Sequence, residues 1–273
     1  MRLNRNTPFM KLSLFIINIV AATATMLGQG TRIAISQDGN YHDRDDISDV
    51  GLSCAILSKA GLAANVVYWG TSDHYWLTNA SQEADMQTSV AGGANQFGPF
   101  PNAQFYNVRA NRAAAVNSLR YAIDASSETN PLHIVENGPA QVIGQAIQAS
   151  LPSARKYVTV YSQSAWNDTH ARTAGPGEGL KAPYYVYNQF PSLGVNVQHI
   201  QDQNLLLSTT KDKFSWLKNS SDPDLRWLYG RNEVAFPPPS AKFDCSGAGL
   251  VYYIVTGDSK CTPAKLRSFL TQQ

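Results

Sequence analysis

Residues 31–60 read TRIAISQDGNYHDRDDISDVGLSCAILSKA and decide the fold class, because they place a strand, an acidic loop and a helix in direct succession. The run Thr31–Ser36 is rich in strand-forming residues. Ile47–Ala60 has apolar residues at helical spacing, and Gly61 is a stop signal. The loop between them, Asp38–Asp46, contains four aspartates. We therefore expect a βα unit with a strongly acidic connection.

The same alternation continues along the chain. It predicts strands at Asn65–Trp69, Leu132–Val135, Tyr157–Tyr161 and Val195–Ile200, and helices at Ala113–Ala125, Ala140–Ala149 and Asp244–Val255. Such alternation indicates an α/β fold with a mostly parallel sheet flanked by helices, a Rossmann-like three-layer arrangement. Ligands of these folds lie at the carboxyl ends of the strands. The loops that follow the strands are polar, and there we expect the site: Asp38–Asp46, Gly70–Trp76, Glu136–Pro139 and Ser162–His170.

Length and composition favour one large globular domain. The chain has 273 residues, of which 43% are hydrophobic and 15% charged, so it has material for a full core. No composition shift marks an internal boundary, and we assign residues 28–273 to the domain. A net charge of +2 gives no electrostatic reason to expect a nucleic-acid partner. The oligomeric state stays open.

The first 27 residues resemble a secretion signal. Arg2, Arg5 and Lys11 are a basic start, Leu12–Val20 is an apolar run, and Ala22-Thr-Ala24 is a small-x-small cleavage site. The alternative is an uncleaved membrane anchor, for which the run is short. We expect a secreted or periplasmic protein with no membrane contact after cleavage. In that compartment Cys245 and Cys261 could pair, whereas Cys54 is expected to be a buried free thiol.

The acidic loop is the main candidate for a metal site. Four carboxylates this close repel one another unless a cation compensates them, and oxygen ligands suit calcium or magnesium. The alternative is helix capping, in which Asp45 or Asp46 caps the helix and the other aspartates are solvated. Capping explains one or two of the four aspartates, so we favour the metal site.

Three short motifs, in order along the chain, resemble those of nucleoside hydrolases. The first is a strand that ends at Asp38 and leads to the pair Asp45-Asp46 at the start of a helix. The second is the turn Glu136-Asn137-Gly138-Pro139, and the third is Asp244 followed by small residues. The loop is longer than in the family, whose second aspartate corresponds to Asn40 or Asp43 depending on the end from which one counts. The sequence therefore resembles a distant member of a nucleoside-hydrolase-like superfamily.

This resemblance implies a calcium ion held by Asp38, Asp45 or Asp46, Asp244 and the backbone carbonyl of Asn137. It further implies an activated water that attacks an anomeric centre, with Asp43 or Asp38 as the base. His42, among carboxylates, is either the acid for the leaving group or a surface histidine. Expected substrate-binding residues are Asn40, Asp73, His74, Glu136, Trp166, Asn167 and Asp168, each with a structural alternative such as strand-end packing or an Asx-turn.

No esterase elbow, phosphate-binding loop or dinucleotide fingerprint is present in the sequence. The favoured function is an exported hydrolase that cleaves the glycosidic bond of a small nucleoside or sugar. Two alternatives stay open, namely an enzyme acting on oligosaccharides or polysaccharides and a non-catalytic glycan-binding protein. An enzyme needs an aspartate base, whereas a binder needs only aromatic and hydrogen-bonding side chains.

Overall fold

The structure, a computed structural model, describes residues 30–39, 43–73, 79–169 and 183–272. Its centre is a six-stranded sheet whose neighbouring strands are all parallel. The strands are β1 Arg32–Gln37, β2 Val66–Thr71, β3 Gln104–Asn107, β4 Leu132–Asn137, β5 Val158–Ser162 and β6 Asn196–His199. The order β3-β2-β1-β4-β5-β6 reverses direction between β1 and β4. This confirms the predicted α/β class and makes the sheet doubly wound.

Eleven helices belong to the described ranges. They are α1 Asp46–Lys59, α2 Ala80–Phe97, α3 Arg112–Asp124, α4 Gln141–Ala149, α5 Pro152–Arg155, α6 Ala165–Thr169, α7 Asn204–Leu207, α8 Ser215–Lys218, α9 Pro223–Ala235, α10 Ser246–Thr256 and α11 Pro263–Thr271. Short 3₁₀ segments occupy Ala63–Asn65, Tyr187–Leu193 and Lys211–Phe214, and a small ribbon pairs β7 Thr209–Thr210 with β8 Lys242–Phe243. None of these helices has the length and apolarity that a membrane span requires.

Two hydrophobic cores, one on each face of the sheet, give the three layers. On the first face Ile33, Ile35 and Val135 pack against α1, α9, α10 and α11. On the second face Ala34 and Ile134 pack against α3, α4 and the 3₁₀ segment Tyr187–Leu193. Side chains of a strand alternate between faces. Gln37 and Asn137 therefore belong to the first face, whereas Ser36 and Glu136 belong to the second.

The long helix α2 and the edge strand β3 were not predicted. Of the 18 residues of α2, only Met86, Ser89 and Gly93 are buried, so its sequence lacks a strong apolar stripe. Its start is nevertheless well defined, because the Asn79 side chain accepts hydrogen bonds from the backbone of Ser81 and Gln82.

All three cysteines are buried free thiols, so Cys245 and Cys261 are not paired. The Cys245 thiol instead donates to Asn232 Oδ1 at 3.0 Å. The proposed signal segment 1–27, together with Asn40, His42 and His74, lies outside the described residues.

Candidate active site

A cavity of about 400 Å³ opens at the point where the strand order reverses. Most ionisable side chains that line it are aspartates: Asp38, Asp43, Asp45, Asp46, Asp49 and Asp244. They come from the end of β1, the start of α1 and the residues that precede α10. In doubly wound sheets this crevice is the usual place for a ligand.

Asp38 is held rigidly between β4 and the loop after β2. Its backbone N–H donates to the Asn137 carbonyl at 3.1 Å, and its carbonyl accepts from Ser72 N–H at 2.8 Å. Gly138 has a φ of +138°, and a Cβ there would lie 2.8 Å from the Asp38 carboxyl carbon. Glycine is therefore required at this turn for β1 and β4 to end side by side.

The carboxylates touch one another. Asp38 is within hydrogen-bonding reach of Asp46 and Asp43, and Asp43 also reaches Asp45. Burial raises the pKa of Asp38 well above its usual range, and the charges of Asp43, Asp46 and Asp45 add to the effect. Burial likewise raises the pKa of Asp46 to about 7. Carboxylates in such contact need shared protons or a cation between them.

Arg44 is the cationic side chain among the described residues of the cavity wall, and its guanidinium donates to the Val234 carbonyl at 2.8 Å. The arginine is thus engaged with the backbone of α9. The negative charge of the cluster greatly exceeds what this one side chain can offset.

A buried relay fixes Asp46. Trp69 Nε1 donates to Gln37 Oε1 at 2.7 Å, and Gln37 Nε2 donates to Asp46 Oδ1 at 2.9 Å. All three side chains are at most 3% exposed. The relay orients Asp46 toward Asp38, and sequence reasoning missed Gln37 because a single glutamine at a strand end carries no pattern.

Asp45 combines two roles. It is the N-cap of α1, and its carboxylate accepts from Asp46 N–H at 3.1 Å. Helix capping, the alternative considered above, therefore accounts for Asp45 but leaves the other buried carboxylates unexplained.

Asp49 is a further acidic residue of the site that sequence reasoning missed. It lies four residues after Asp45 and three after Asp46, so the three share one face of α1, and this spacing was a readable signal. Asp49 Oδ2 accepts from Gly247 N–H at 2.7 Å, and Asn137 Nδ2 donates to the Gly247 carbonyl at 3.1 Å. The start of α10, which carries Asp244, is thereby attached to α1 and β4.

Several oxygen atoms of the site have no partner among the described residues. They are Asp38 Oδ2, Asp49 Oδ1 and Asn137 Oδ1, all buried. The resemblance assigned a metal ligand to the Asn137 backbone carbonyl, but that oxygen accepts the bond from Asp38 N–H. The side-chain oxygen of Asn137 is the better placed donor to an ion.

The rim of the cavity is polar and aromatic. Trp166 and Asn167, both predicted substrate-binding residues, line it. Gln163 and Ser164, in the predicted site loop Ser162–His170, line it as well. The other rim residues are Asn204, Phe236 and Ser246.

Three other predicted substrate-binding residues do not line the cavity. Asp73 is buried and pairs with Arg112 NH1 at 2.8 Å, while its second oxygen accepts from Val142 N–H at 3.0 Å. Both oxygens are thus engaged, and we reassign Asp73 to anchoring α4 and α3. Asp168 Oδ2 lies 3.4 Å from His199 Nε2.

Glu136 also lies elsewhere, because the side chain after Val135 points to the second face of the sheet. It is 0% exposed, and burial raises its pKa well above the usual range. Ser162 is close enough to favour the charged form, although the geometry falls short of a hydrogen bond. We therefore separate Glu136 from the acidic cavity.

The donor set suits a hard cation such as calcium, since carboxylate and amide oxygens with unused lone pairs surround one space. In the described part of the chain, however, no three acidic, histidine or cysteine side chains stand in a preformed ligand arrangement. Small side-chain rotations would be needed to direct the oxygens at one ion. The chemistry of the site thus fits calcium better than its present geometry does.

Fold and site together define a doubly wound α/β protein with a carboxylate-lined cavity at its switch point. The chain matches no protein-family model. It is 33% identical over 240 residues to "Uncharacterized protein P22" of Formosa agariphila, with 83% of this chain and 84% of that protein covered. The chain therefore belongs to the family of that protein.

Among solved structures, an inosine-guanosine nucleoside hydrolase superposes with a TM-score of 0.48 and 9% identity, covering 84% of this chain and 79% of that one. A likeness this distant decides no function.

Proposed function

We propose that the chain is a hydrolase that cleaves a glycosidic bond of a nucleoside or small sugar with water activated at the acidic cavity. The observation that carries this proposal is the contact between Asp38, Asp43 and Asp46 at the sheet switch point. A hydrolase uses carboxylates that repel one another in a buried place to hold a cation and to move a proton, and the raised pKa of Asp43 suits the second task.

The residues that would hold calcium are Asp38, Asp45, Asp46, Asp244 and the side-chain oxygen of Asn137. When bound, calcium supplies Lewis-acid activation of water and an anchor for sugar hydroxyls. The protein's own side chains orient these ligands. The relay from Trp69 through Gln37 fixes Asp46, and Asp49 and Asn137 fix the segment that carries Asp244.

Asp43 is the best placed base. It lines the cavity, is only partly buried and touches both Asp38 and Asp45. Burial and the neighbouring charges of Asp46 and Asp244 raise its pKa, which improves its ability to take a proton from water near neutral pH. Attack by one water on an anomeric carbon inverts the configuration at that carbon.

The size and rim of the cavity support a small substrate. About 400 Å³ is at the low end of small-molecule sites, which suits a nucleoside or monosaccharide unit better than a long glycan. Trp166 offers a ring for stacking, and Asn167 offers an amide for sugar hydroxyls. Export of the protein remains part of the proposal, supported by the basic and apolar start of the sequence.

Calcium titration by calorimetry tests the proposal, with the parent compared against Asp45→Asn. Asparagine keeps the cap of α1 and removes only the charge, so the fold is preserved. We expect the parent to bind calcium and the variant to lose about 100-fold or more in affinity, because ligand charge sets calcium affinity. Asp212→Asn, at an exposed position of the 3₁₀ segment Lys211–Phe214, is the matched control and should bind as the parent does.

A screen of nucleosides and oligosaccharides, with calcium or with chelator, then tests the activity. Calcium-dependent release of a reducing sugar with inverted configuration is the expected result. A parent that binds no calcium, or hydrolyses equally well in chelator, would contradict the mechanism.

A further inference from the structure

A second cavity lies between α7, the 3₁₀ segment Lys211–Phe214, α8 and α11. Its volume is about 730 Å³, within the range of small-molecule sites. The described side chains that line it come from two stretches, residues 205–216 and 262–271. None of them lines the acidic cavity, so the two cavities are separate places on the molecule.

One part of the wall is aromatic and apolar. Trp216 is partly buried, because it packs against the first hydrophobic core, and the rest of it lines the cavity. Leu205 is 77% exposed, and Leu206 and Pro263 lie on the same wall. A partly exposed tryptophan beside an exposed leucine is a surface that the apolar face of a ligand covers favourably.

Hydroxyl side chains form much of the remaining wall. Five of them line the cavity: Thr209, Ser215, Thr262, Ser268 and Thr271. Thr262 Oγ1 accepts from Lys265 N–H at 3.3 Å, and Ser268 Oγ accepts from Gln272 Nε2 at 2.9 Å. The hydroxyl protons of these two residues are therefore available to a ligand. An aromatic ring with hydroxyl groups around it matches a sugar, which has an apolar C–H face and a polar edge.

The charged side chains of the wall add up to one positive charge. They are Asp212, Lys213 and Arg267. The Asp212 carboxylate lies 3.9 Å from Lys213 Nζ and also accepts from the Thr210 hydroxyl, so the first two charges offset each other. Arg267 is exposed on α11, and its planar guanidinium has the geometry that binds a carboxylate or phosphate through two parallel hydrogen bonds.

We propose that this cavity binds a single sugar unit that carries an acidic group. Trp216 and Leu205 cover the C–H face of the sugar, the hydroxyl side chains bind its hydroxyl groups, and Arg267 binds the acidic group. The first turn of α11, which also lines the cavity, adds a partial positive charge on the same side. This site does not depend on the hydrolase function proposed above.

Calorimetry on the full chain in chelator tests the site. Without calcium the acidic cavity repels anions, so binding of an acidic sugar there is disfavoured. The probes are glucuronate, glucose 6-phosphate, glucose and acetate. We expect at least one acidic sugar to bind, glucose to bind about tenfold more weakly because it lacks the partner of Arg267, and acetate to give no measurable heat.

Three variants locate the binding. Arg267→Gln removes the charge at an exposed position and should abolish the preference for acidic sugars over glucose. Trp216→Leu should weaken every sugar about tenfold. Because Trp216 also packs on the core, Arg267→Gln decides the result if Trp216→Leu does not fold. Lys156→Gln, an exposed cation outside both cavities, should bind as the parent does.

A parent that binds neither acidic sugar would overturn the site. Acetate binding as tight as that of the acidic sugars would overturn it as well, because the sugar would then contribute nothing. Unchanged affinities in Arg267→Gln would also overturn it, since the ligand would then bind elsewhere. A preference for glucuronate or for glucose 6-phosphate identifies the acidic group as a carboxylate or a phosphate.

The variant Asp45→Asn keeps this test apart from that of the hydrolase. It should bind the acidic sugars as the parent does, although it is expected to lose calcium. Failure of the sugar site would leave calcium binding untouched, and failure of calcium binding would leave the sugar titrations in chelator unchanged.

Discussion

The two faces of the sheet differ in how they accommodate the negative charge of buried carboxylates. On the first face, six aspartates line an open cavity, and four of them, Asp38, Asp43, Asp45 and Asp46, touch one another. On the second face, Glu136 is fully buried among neutral hydroxyls. A third carboxylate, Asp73, has a fixed counter-ion in Arg112. Only the last pair is complete within the described protein, and such completeness is expected of structural charges.

This difference indicates which carboxylates serve ligands. Asp73 holds elements together, because Arg112 and Val142 N–H engage its carboxylate whether or not anything binds, although burial still raises its pKa. The aspartates of the cavity and Glu136 have carboxyl groups that no cationic side chain of the described residues balances, so we expect their protonation or ion binding to change with conditions. Experiments that alter pH, calcium or single side chains should therefore affect the three places differently.

The largest expected effect is a loss of stability with rising pH in calcium-free choline buffer. The folded-state pKa of Asp46 is about 7, against 3.8 in the unfolded chain, so its protonated form stabilises the fold. That contribution is fully present below pH 3.8 and is lost as the pH rises through about 7. Urea unfolding between pH 4 and 8 should show a fall of roughly 1.4 kcal/mol per pH unit for each proton involved.

Three comparisons check this prediction. Asp46→Asn should reduce the slope of unfolding free energy against pH by the amount of about one proton. It should also raise stability at pH 8 in chelator, since it removes one repelling charge. Added calcium should reduce the same slope in the parent. Asp212→Asn, whose carboxylate is exposed, should leave the slope unchanged. A parent whose stability is constant over this range would contradict the raised pKa values.

The next largest effect concerns the ion pair between Asp73 and Arg112. Arg112→Met keeps an apolar stem and leaves the Asp73 carboxylate buried without its cation, which should cost about 3 to 5 kcal/mol of unfolding free energy. The double variant with Asp73→Asn should recover more than half of that loss, because asparagine still accepts from Val142 N–H. Urea unfolding measures both.

The exposed pair of Lys265 and Asp258 provides the control. Lys265→Met should change stability by less than about 1 kcal/mol, as exposed ion pairs generally do. A similarly small loss in Arg112→Met would mean that Asp73 is protonated in the folded state, and the contrast between the three carboxylate environments would be withdrawn.

Much of the fold was readable because strand and helix signals alternate cleanly. All five predicted strands and all four predicted helices are present within one or two residues of the expected bounds. The strand β3 and the helices α2, α9 and α11 were missed. Helix α2 buries few apolar side chains, and β3 is an edge strand of four residues, so neither has the periodicity on which prediction depends.

The residues of the candidate site were predictable where they are adjacent in sequence, and less so where tertiary packing determines the direction and partners of a side chain. The acidic loop and Asp244 were found as motifs and do line one cavity. Glu136 was misplaced because a one-residue step along β4 switches the face, and the exact end of the strand was needed to choose. Asp73 was misjudged because Arg112 is 39 residues away and its approach depends on the folded sheet.

The smallest expected effect concerns Gln37, and it tests whether this residue orients the Asp46 carboxylate for calcium or only stabilises the fold. Gln37→Leu leaves the Trp69 indole N–H and the Asp46 carboxylate without their partner, which should cost about 1 to 3 kcal/mol of stability and weaken calcium binding about tenfold. Trp69→Phe breaks only the outer bond of the relay, so stability should fall while calcium affinity stays near that of the parent.

Calorimetry with calcium and urea unfolding on the two variants provide the measurement, with the exposed substitution Gln148→Leu as control. If both variants lose stability equally but bind calcium as the parent does, Gln37 is a core residue with no positioning role. If only Gln37→Leu loses calcium affinity, the hydrogen bond from Gln37 that orients Asp46 is required for the cation site. The carboxylates of the first face are then positioned by the buried side chains behind them.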